Sequence, residues 1–249
     1  MDAELWVGWL QRWDAQQQLH IPDREDRFGA IVEALAAFVG PSPRVLDLGS
    51  GPGSLSERVL RRLPDAEIVA IDADPVLLAI GRGALATRPQ LHFLDADLRG
   101  GWTAELPLVP PLDAAVSTTA LHWLGLSALV GFYAQLAAVL RPGGVLLNGD
   151  RLDFDHDQRR IGEVAQRIQP DWPPTQPGAE DWEAWWAAAD QEPALAEAMD
   201  LRRRRGHEHP HENEAHTYEF HRAALIAAGF AEVGTVWQRL VNRVLVAIR

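Results

Sequence analysis

The stretch from Val45 to Gly53 constrains this chain more than any other. It reads Val-Leu-Asp-Leu-Gly-Ser-Gly-Pro-Gly, an apolar run followed by an acid and by glycines at alternate positions 49, 51 and 53. A strand that feeds such a loop opens an open α/β sheet, in which a nucleoside-bearing ligand lies above the carboxyl ends of the first two strands. The glycines let the backbone come close to that ligand. A second acid, Asp72, closes the next apolar run, Ile68-Val69-Ala70-Ile71. At the end of a second strand, its carboxylate is placed to accept hydrogen bonds from a ribose diol.

Several readings of the glycine loop compete. A dinucleotide fingerprint requires Gly-x-Gly-x-x-Gly/Ala, and here Ser54 occupies the third position. A phosphate loop requires Gly-Lys-Ser/Thr, and the chain contains no lysine. A plain glycine turn with no ligand is a further possibility. The pattern Asp-x-Gly-x-Gly-x-Gly resembles that of class I S-adenosylmethionine (SAM)-dependent methyltransferases. Later landmarks strengthen the resemblance. Asp72 lies 19 residues after Gly53, where the family carries its ribose acid. The segment Leu94-Asp95-Ala96-Asp97-Leu98 looks like the family's third strand end, with Asp97 taking the adenine amino group. Asp113 to Thr118 fits its fourth strand, and Leu140-Arg141-Pro142-Gly143-Gly144 its turn into strand 5.

The resemblance covers residues 28–150 and, more loosely, 215–249. It implies a Rossmann-like α/β fold with a seven-stranded sheet whose strand 7 is antiparallel, an N-terminal helical lid and a helical insertion after strand 5. It also implies SAM as cofactor. Carried onto this sequence, the implied cofactor contacts are Asp47, Gly49, Ser50, Gly51 and Gly53 in the first loop, Asp72 and Ala73 after strand 2, Asp97 and Leu98 after strand 3, and Thr118 at the end of strand 4.

Four parts are expected along the chain: a lid over 1–27, a core over 28–150, a substrate insertion over 151–214, and a return to the core over 215–249. Trp6, Trp9 and Trp13 share one helical face, and Trp182, Trp185 and Trp186 fall in the insertion. Most of these tryptophans read as packing between lid helices. An aromatic-rich lid favours a small organic acceptor held away from water.

Charge narrows the partners. The net charge is −12, and nucleic-acid affinity draws heavily on basic groups that neutralise phosphates, so no nucleic-acid partner is expected. The run Arg202 to Arg205 follows an acid-rich stretch, and the two are read as solvated faces that offset each other. Zero cysteines exclude disulfides and thiolate metal sites. Ala120 to Leu140 carries no formal charge, yet it holds polar residues and lies between two strands of one sheet, so a mostly buried helix after strand 4 is expected and no membrane span. Met1-Asp2-Ala3-Glu4 lacks the basic start of a secretory signal, and a cytoplasmic location is expected. Oligomeric state is not legible.

Methyl transfer from SAM is an in-line displacement in which the protein supplies alignment and, where the acceptor must lose a proton, a base. His122 is the base candidate, in a segment Thr118 to Trp123 similar to the one lining the transfer site in trans-aconitate methyltransferase-like proteins. Trp123, Arg24, Arg27 and Asp150 are substrate candidates, and His20 is a further lid candidate. His207, His209 and His211 alternate and could hold a divalent metal, but adventitious binding is the commoner behaviour of such tracts and no metal is expected. The function expected is methylation of an O or N atom of a small molecule. The alternatives are a metal-assisted transfer using the 207–211 cluster, non-methylating SAM chemistry such as cyclisation or decarboxylation, and an accessory SAM-binding subunit.

Overall fold

The structure, a computed structural model, describes residues 3–21, 23–168, 180–206 and 216–249. Seven strands form one sheet: β1 (Arg44–Leu48), β2 (Glu67–Asp72), β3 (Leu91–Asp95), β4 (Leu112–Thr118), β5 (Leu140–Arg151), β6 (Glu232–Arg239) and β7 (Asn242–Ile248). Their order is β3-β2-β1-β4-β5-β7-β6. The first five pair in parallel, and β7 lies antiparallel between β5 and β6. The order reverses between β1 and β4, so the carboxyl ends of those strands flank the crevice where an open α/β sheet takes its ligand.

The apolar runs of the central strands are continuous because both faces of the sheet are covered. Successive side chains point to opposite faces. Leu46, Val69, Ile71 and Leu146 pack on one side with Phe132 and Leu136 of α5 (Leu126–Val139) and Leu225 of α9 (Tyr218–Ala227). Val45, Ile68, Val116 and Val145 pack on the other with Ile31 and Leu35 of α2 (Arg24–Phe38) and Val59 of α3 (Ser54–Arg62). The helix after β2, α4 (Pro75–Ala84), starts with Pro75 at its first position, and the Asp74 carboxylate accepts from the Val76 and Leu77 N–H groups. That combination satisfies donors a helix start leaves orphaned.

A third apolar cluster joins α1 (Ala3–His20) and α4 to two helices of the insertion, α7 (Trp182–Asp190) and α8 (Ala196–Arg205). Trp6, Trp9 and Trp13 are all buried in it. The Trp13 ring centroid lies 5.0 Å from that of Trp185 and 5.7 Å from that of Trp182. Gly83 makes the α1–α4 approach possible, since a Cβ there would fall 2.2 Å from Trp6 Cγ. A further insertion helix among the described residues is α6 (Arg159–Ile168). Among the described residues, no helix is long and apolar enough to cross a membrane. The uncharged 120–140 stretch forms a short turn at Leu121–Trp123 and then α5.

Candidate active site

A cavity of about 1180 Å³ opens above the carboxyl ends of β1 to β4, walled by α1, the loops after these strands and the insertion. The glycine loop forms its floor. Gly49 takes a left-handed backbone (φ +68°), and a Cβ there would fall 2.3 Å from the Ala120 Cβ. The turn is held from β2: Gly49 N and Ser50 N both donate to the Ile71 carbonyl, at 2.8 and 2.9 Å. The Asp72 carboxylate then accepts from Gly51 N at 2.7 Å and Asp74 N at 2.8 Å. Burial pushes the Asp72 carboxyl up to about 6, against those N–H bonds. Such a carboxylate gains from further donors such as hydroxyls.

Asp47 stands behind the loop and does not wall the cavity. Its Oδ2 accepts from Ser56 N and Ser56 Oγ (3.1 and 2.6 Å), tying β1 to the start of α3. Its Oδ1 is buried with no hydrogen-bond partner, and burial pushes the carboxyl up to about 7. Gly53 also lies outside the walls, under Phe93 and Leu85. Gly49, Ser50, Gly51, Asp72, Ala73, Asp97, Leu98 and Thr118 all face the cavity, and Thr118 Oγ1 is a buried atom without a partner. Asp97 accepts from the Arg99 N–H and guanidinium. A tight glycine cradle, acids at and just beyond the ends of β2 and β3, and the orphaned Thr118 hydroxyl fit an adenosyl ligand carrying a positive charge.

His122 and Trp123 wall the cavity beyond β4. His122 Nδ1 lies 2.8 Å from Asp150 Oδ1, and its backbone N–H donates to Asp150 Oδ2 at 3.3 Å. Asp150, near the end of β5, is fully buried and does not itself reach the cavity. Burial would raise its carboxyl, but the His122 ring and the Arg27 guanidinium hold it below the usual carboxylate range. Conversely, burial would lower the His122 imidazole, and the Asp150 carboxylate more than reverses this, so the ring sits above its ordinary value. An ionised Asp150 is acceptor-only, so Nδ1 carries the proton of this hydrogen bond, and Nε2 is left as the ring's accepting atom.

Arg24 and Arg27 part company. Arg24 faces the cavity but is almost fully buried, and its guanidinium donates to Asp14 at 2.7 Å. Asp14 also accepts from Ser54 Oγ at 2.6 Å, binding α1 to the glycine-loop helix. Arg27 lies behind the wall with its aliphatic stem against Gly149, and burial pushes it down to about 10. It is therefore placed to act on Asp150 and not to touch a ligand. His20 faces the cavity.

The arginine run departs from the expectation of an offset, solvated face. Arg203 does pair with Asp190 and Asp200 on the surface. Arg202, however, donates to Asp74 at 2.7 Å and lies over the Trp186 ring. Arg205 donates to both oxygens of Asp95 (2.7 and 2.9 Å) and to the Ala73 carbonyl (2.9 Å), walling the cavity. Sequence reasoning also missed Asp14, because α1 displayed only its tryptophan face and no charge pattern. His207, His209 and His211 lie outside the described residues. Among the described residues, no group of three His, Cys, Asp or Glu side chains is placed to hold a metal.

Residues 45–144 match the family described as methyltransferase domain. Trans-aconitate 2-methyltransferase of Methylobacterium nodulans is 37% identical over 134 residues, covering 54% of this chain and 48% of that protein. The Azoarcus sp. protein of the same name is 32% identical over 153 residues, covering 61% of this chain and 56% of that one. The chain thus spans about half the length of the curated relatives it matches. Among solved structures, human N-acetylserotonin methyltransferase in complex with SAM superposes with a TM-score of 0.55 at 17% identity, covering 89% of this chain and 51% of that one. At that identity the likeness is one of fold.

Proposed function

We propose, for a chain whose residues 45–144 match the methyltransferase domain family, that it is a class I SAM-dependent enzyme and transfers the methyl group of SAM to an oxygen or nitrogen of a small organic acceptor. The observation that carries the reading is the joining of two devices in one cavity: the glycine cradle with Asp72, and the His122–Asp150 pair. SAM supplies a methyl group already activated by its sulfonium, so no side chain has to attack covalently.

The chain's own residues have three tasks. The loop 49–51 and the carboxylates of Asp72 and Asp97 bind the adenosyl group, with Ser50, Ala73, Leu98 and Thr118 completing its walls. Asp47 and Gly53 support the loop from behind. His122 takes the acceptor's proton on Nε2, while Asp150 holds Nδ1–H and stabilises the imidazolium that forms. Arg27 keeps Asp150 ionised. In this reading Asp150 and Arg27 are positioning residues, and Trp123 and Arg24 remain at the acceptor end.

The segment 1–27, with α1, and the segment 151–214 serve as the lid. The tryptophan contacts between α1 and α7, and the Arg202 and Arg205 contacts to the β2 and β3 ends, support that role. The compartment in this reading is the cytoplasm, and the acceptor is a small molecule and not a nucleic acid, which a net charge of −12 favours. Incubation with methyl-labelled SAM and a metabolite extract tests it. Label should appear in a small product in step with S-adenosylhomocysteine (SAH) release, and His122→Ala should suppress both. Consumption of SAM without a methylated product refutes the reading.

A further inference from the structure

The curated relatives are named for a tricarboxylate, which makes the charge of this cavity informative. Permanent cations in this chain can only be arginines, because it has no lysine. Every arginine lies among the described residues, so the inventory is complete. Three of them wall the cavity, Arg24, Arg99 and Arg205. Each is already bonded to a carboxylate of the chain: Arg24 to Asp14 at 2.7 Å, Arg99 to Asp97 at 2.6 Å, and Arg205 to Asp95 at 2.7 Å. Against these three the described residues of the walls carry five carboxylates, Asp72, Asp74, Asp95, Asp97 and Glu105; Asp74 is also paired with Arg202 at 2.7 Å, and Asp72 and Asp97 belong to the proposed adenosyl end.

A carboxylate ligand would have to displace one of these internal partners, leaving an aspartate beside it without its counter-charge. The exchange gains little, because one carboxylate replaces another, and the stranded aspartate costs free energy. A ligand with several carboxylates meets that cost several times over. This is the repulsive half of specificity. The attractive half is aromatic: Trp13, Trp182, Trp186 and Phe28 contribute to the walls. The Trp123 ring lies 4.8 Å from that of His122 and is 38% exposed. An aromatic ligand laid against Trp123 would bring a hydroxyl or amine to the base, and aromatic pairs gain beyond the area they bury.

We infer that the acceptor is a flat, neutral or singly cationic aromatic molecule, and that this cavity rejects polycarboxylates. The inference rests on the proposed methyltransferase reading and assigns its substrate class. One ring system in three charge states tests it, with calorimetry on the SAH-loaded protein at pH 8. Indole-3-ethanol (neutral) and tryptamine (cationic) should bind at least tenfold more tightly than indole-3-acetate (anionic), and trans-aconitate should give no heat. Asp95→Asn, which releases Arg205, should narrow the gap by improving indole-3-acetate binding severalfold. Equal or tighter binding of the anions to the unaltered protein overturns the inference. So does a failure of all three indoles to bind while SAH binds normally. If SAH itself gives no heat, the failure is that of the methyltransferase reading and not of the charge argument.

Discussion

Replacing Asp150 with Asn separates the proposed base pair with little change in shape. In the native site the carboxylate accepts from His122 Nδ1–H (2.8 Å), from the His122 backbone N–H (3.3 Å) and from the Arg151 backbone N–H (2.8 Å). A hydrogen bond to a charged acceptor contributes about 1 kcal/mol more than one to a neutral acceptor. Three such bonds would give about 3 kcal/mol, reduced because Asn is cheaper to bury, for a net loss of about 1–3 kcal/mol. The loss should depend on pH. His122 is held above its ordinary 6.5, so its share is complete below 6.5 and fades as pH rises through the native value. Asp150 is held below its ordinary 3.8, so its share is complete above 3.8 and fades as pH falls. The difference in denaturation free energy between the two proteins should therefore be greatest between those values. His122 should titrate at a lower pH in the variant, since burial and the charges of Arg27 and Arg151 then act unopposed. Its kcat should drop about 100-fold, the lower end of what a positioned base supplies. Imidazole NMR titration of His122, urea denaturation across pH and single-turnover methyl transfer read the three quantities. An unmoved His122 titration together with kcat within threefold of native would refute the pairing.

Two further outcomes follow from the packing and the rim. Because Asp72 is pushed up to about 6 and acts as an acceptor when ionised, SAH affinity should decline as pH falls through that value. Asp72→Asn should weaken binding at pH 8 by about 1–3 kcal/mol and flatten the pH dependence; calorimetry at pH 5, 6 and 8 decides. Gly83→Ala places a methyl group against Trp6 and should cost about 1–3 kcal/mol by overpacking. Freed from α4, α1 should become an early site of limited proteolysis, whereas native-like resistance would contradict its docking on α4.

The parts of the site legible in the sequence are those whose geometry is local. The glycine loop, Asp72 at the end of β2 and the turn at 140–144 each encode a backbone demand within a few residues, and the structure places all three in one sheet. Trp6, Trp9 and Trp13 read by spacing as one helical face, and they and Trp182, Trp185 and Trp186 far along the chain read as packing between lid helices, but which rings meet is fixed only by how α7 docks on α1. Arg202 and Arg205 escaped for the same reason. Asp74 is 128 residues from Arg202, and Asp95 is 110 from Arg205, so a run of arginines after a run of acids read as neighbours offsetting each other. Arg27 and Asp150 were both recognised as near the cavity. That they stand behind His122 and not beside a ligand depends on how α2 packs on β5, with Gly149 making room for the Arg27 stem. Helix pairing of this kind is settled by tertiary contacts that no single segment contains.

The central claim is that an adenosyl group lies across the loops carrying Gly49 to Gly51, Asp72 and Asp97. A crystal structure of the complex with SAH addresses it most directly. The account predicts the ribose hydroxyls on the Asp72 carboxylate, the adenine beside Asp97 and Leu98, and the sulfur on the same side of the cavity as His122. SAH bound elsewhere, or a complex in which Asp72 keeps only its Gly51 and Asp74 contacts, would contradict it.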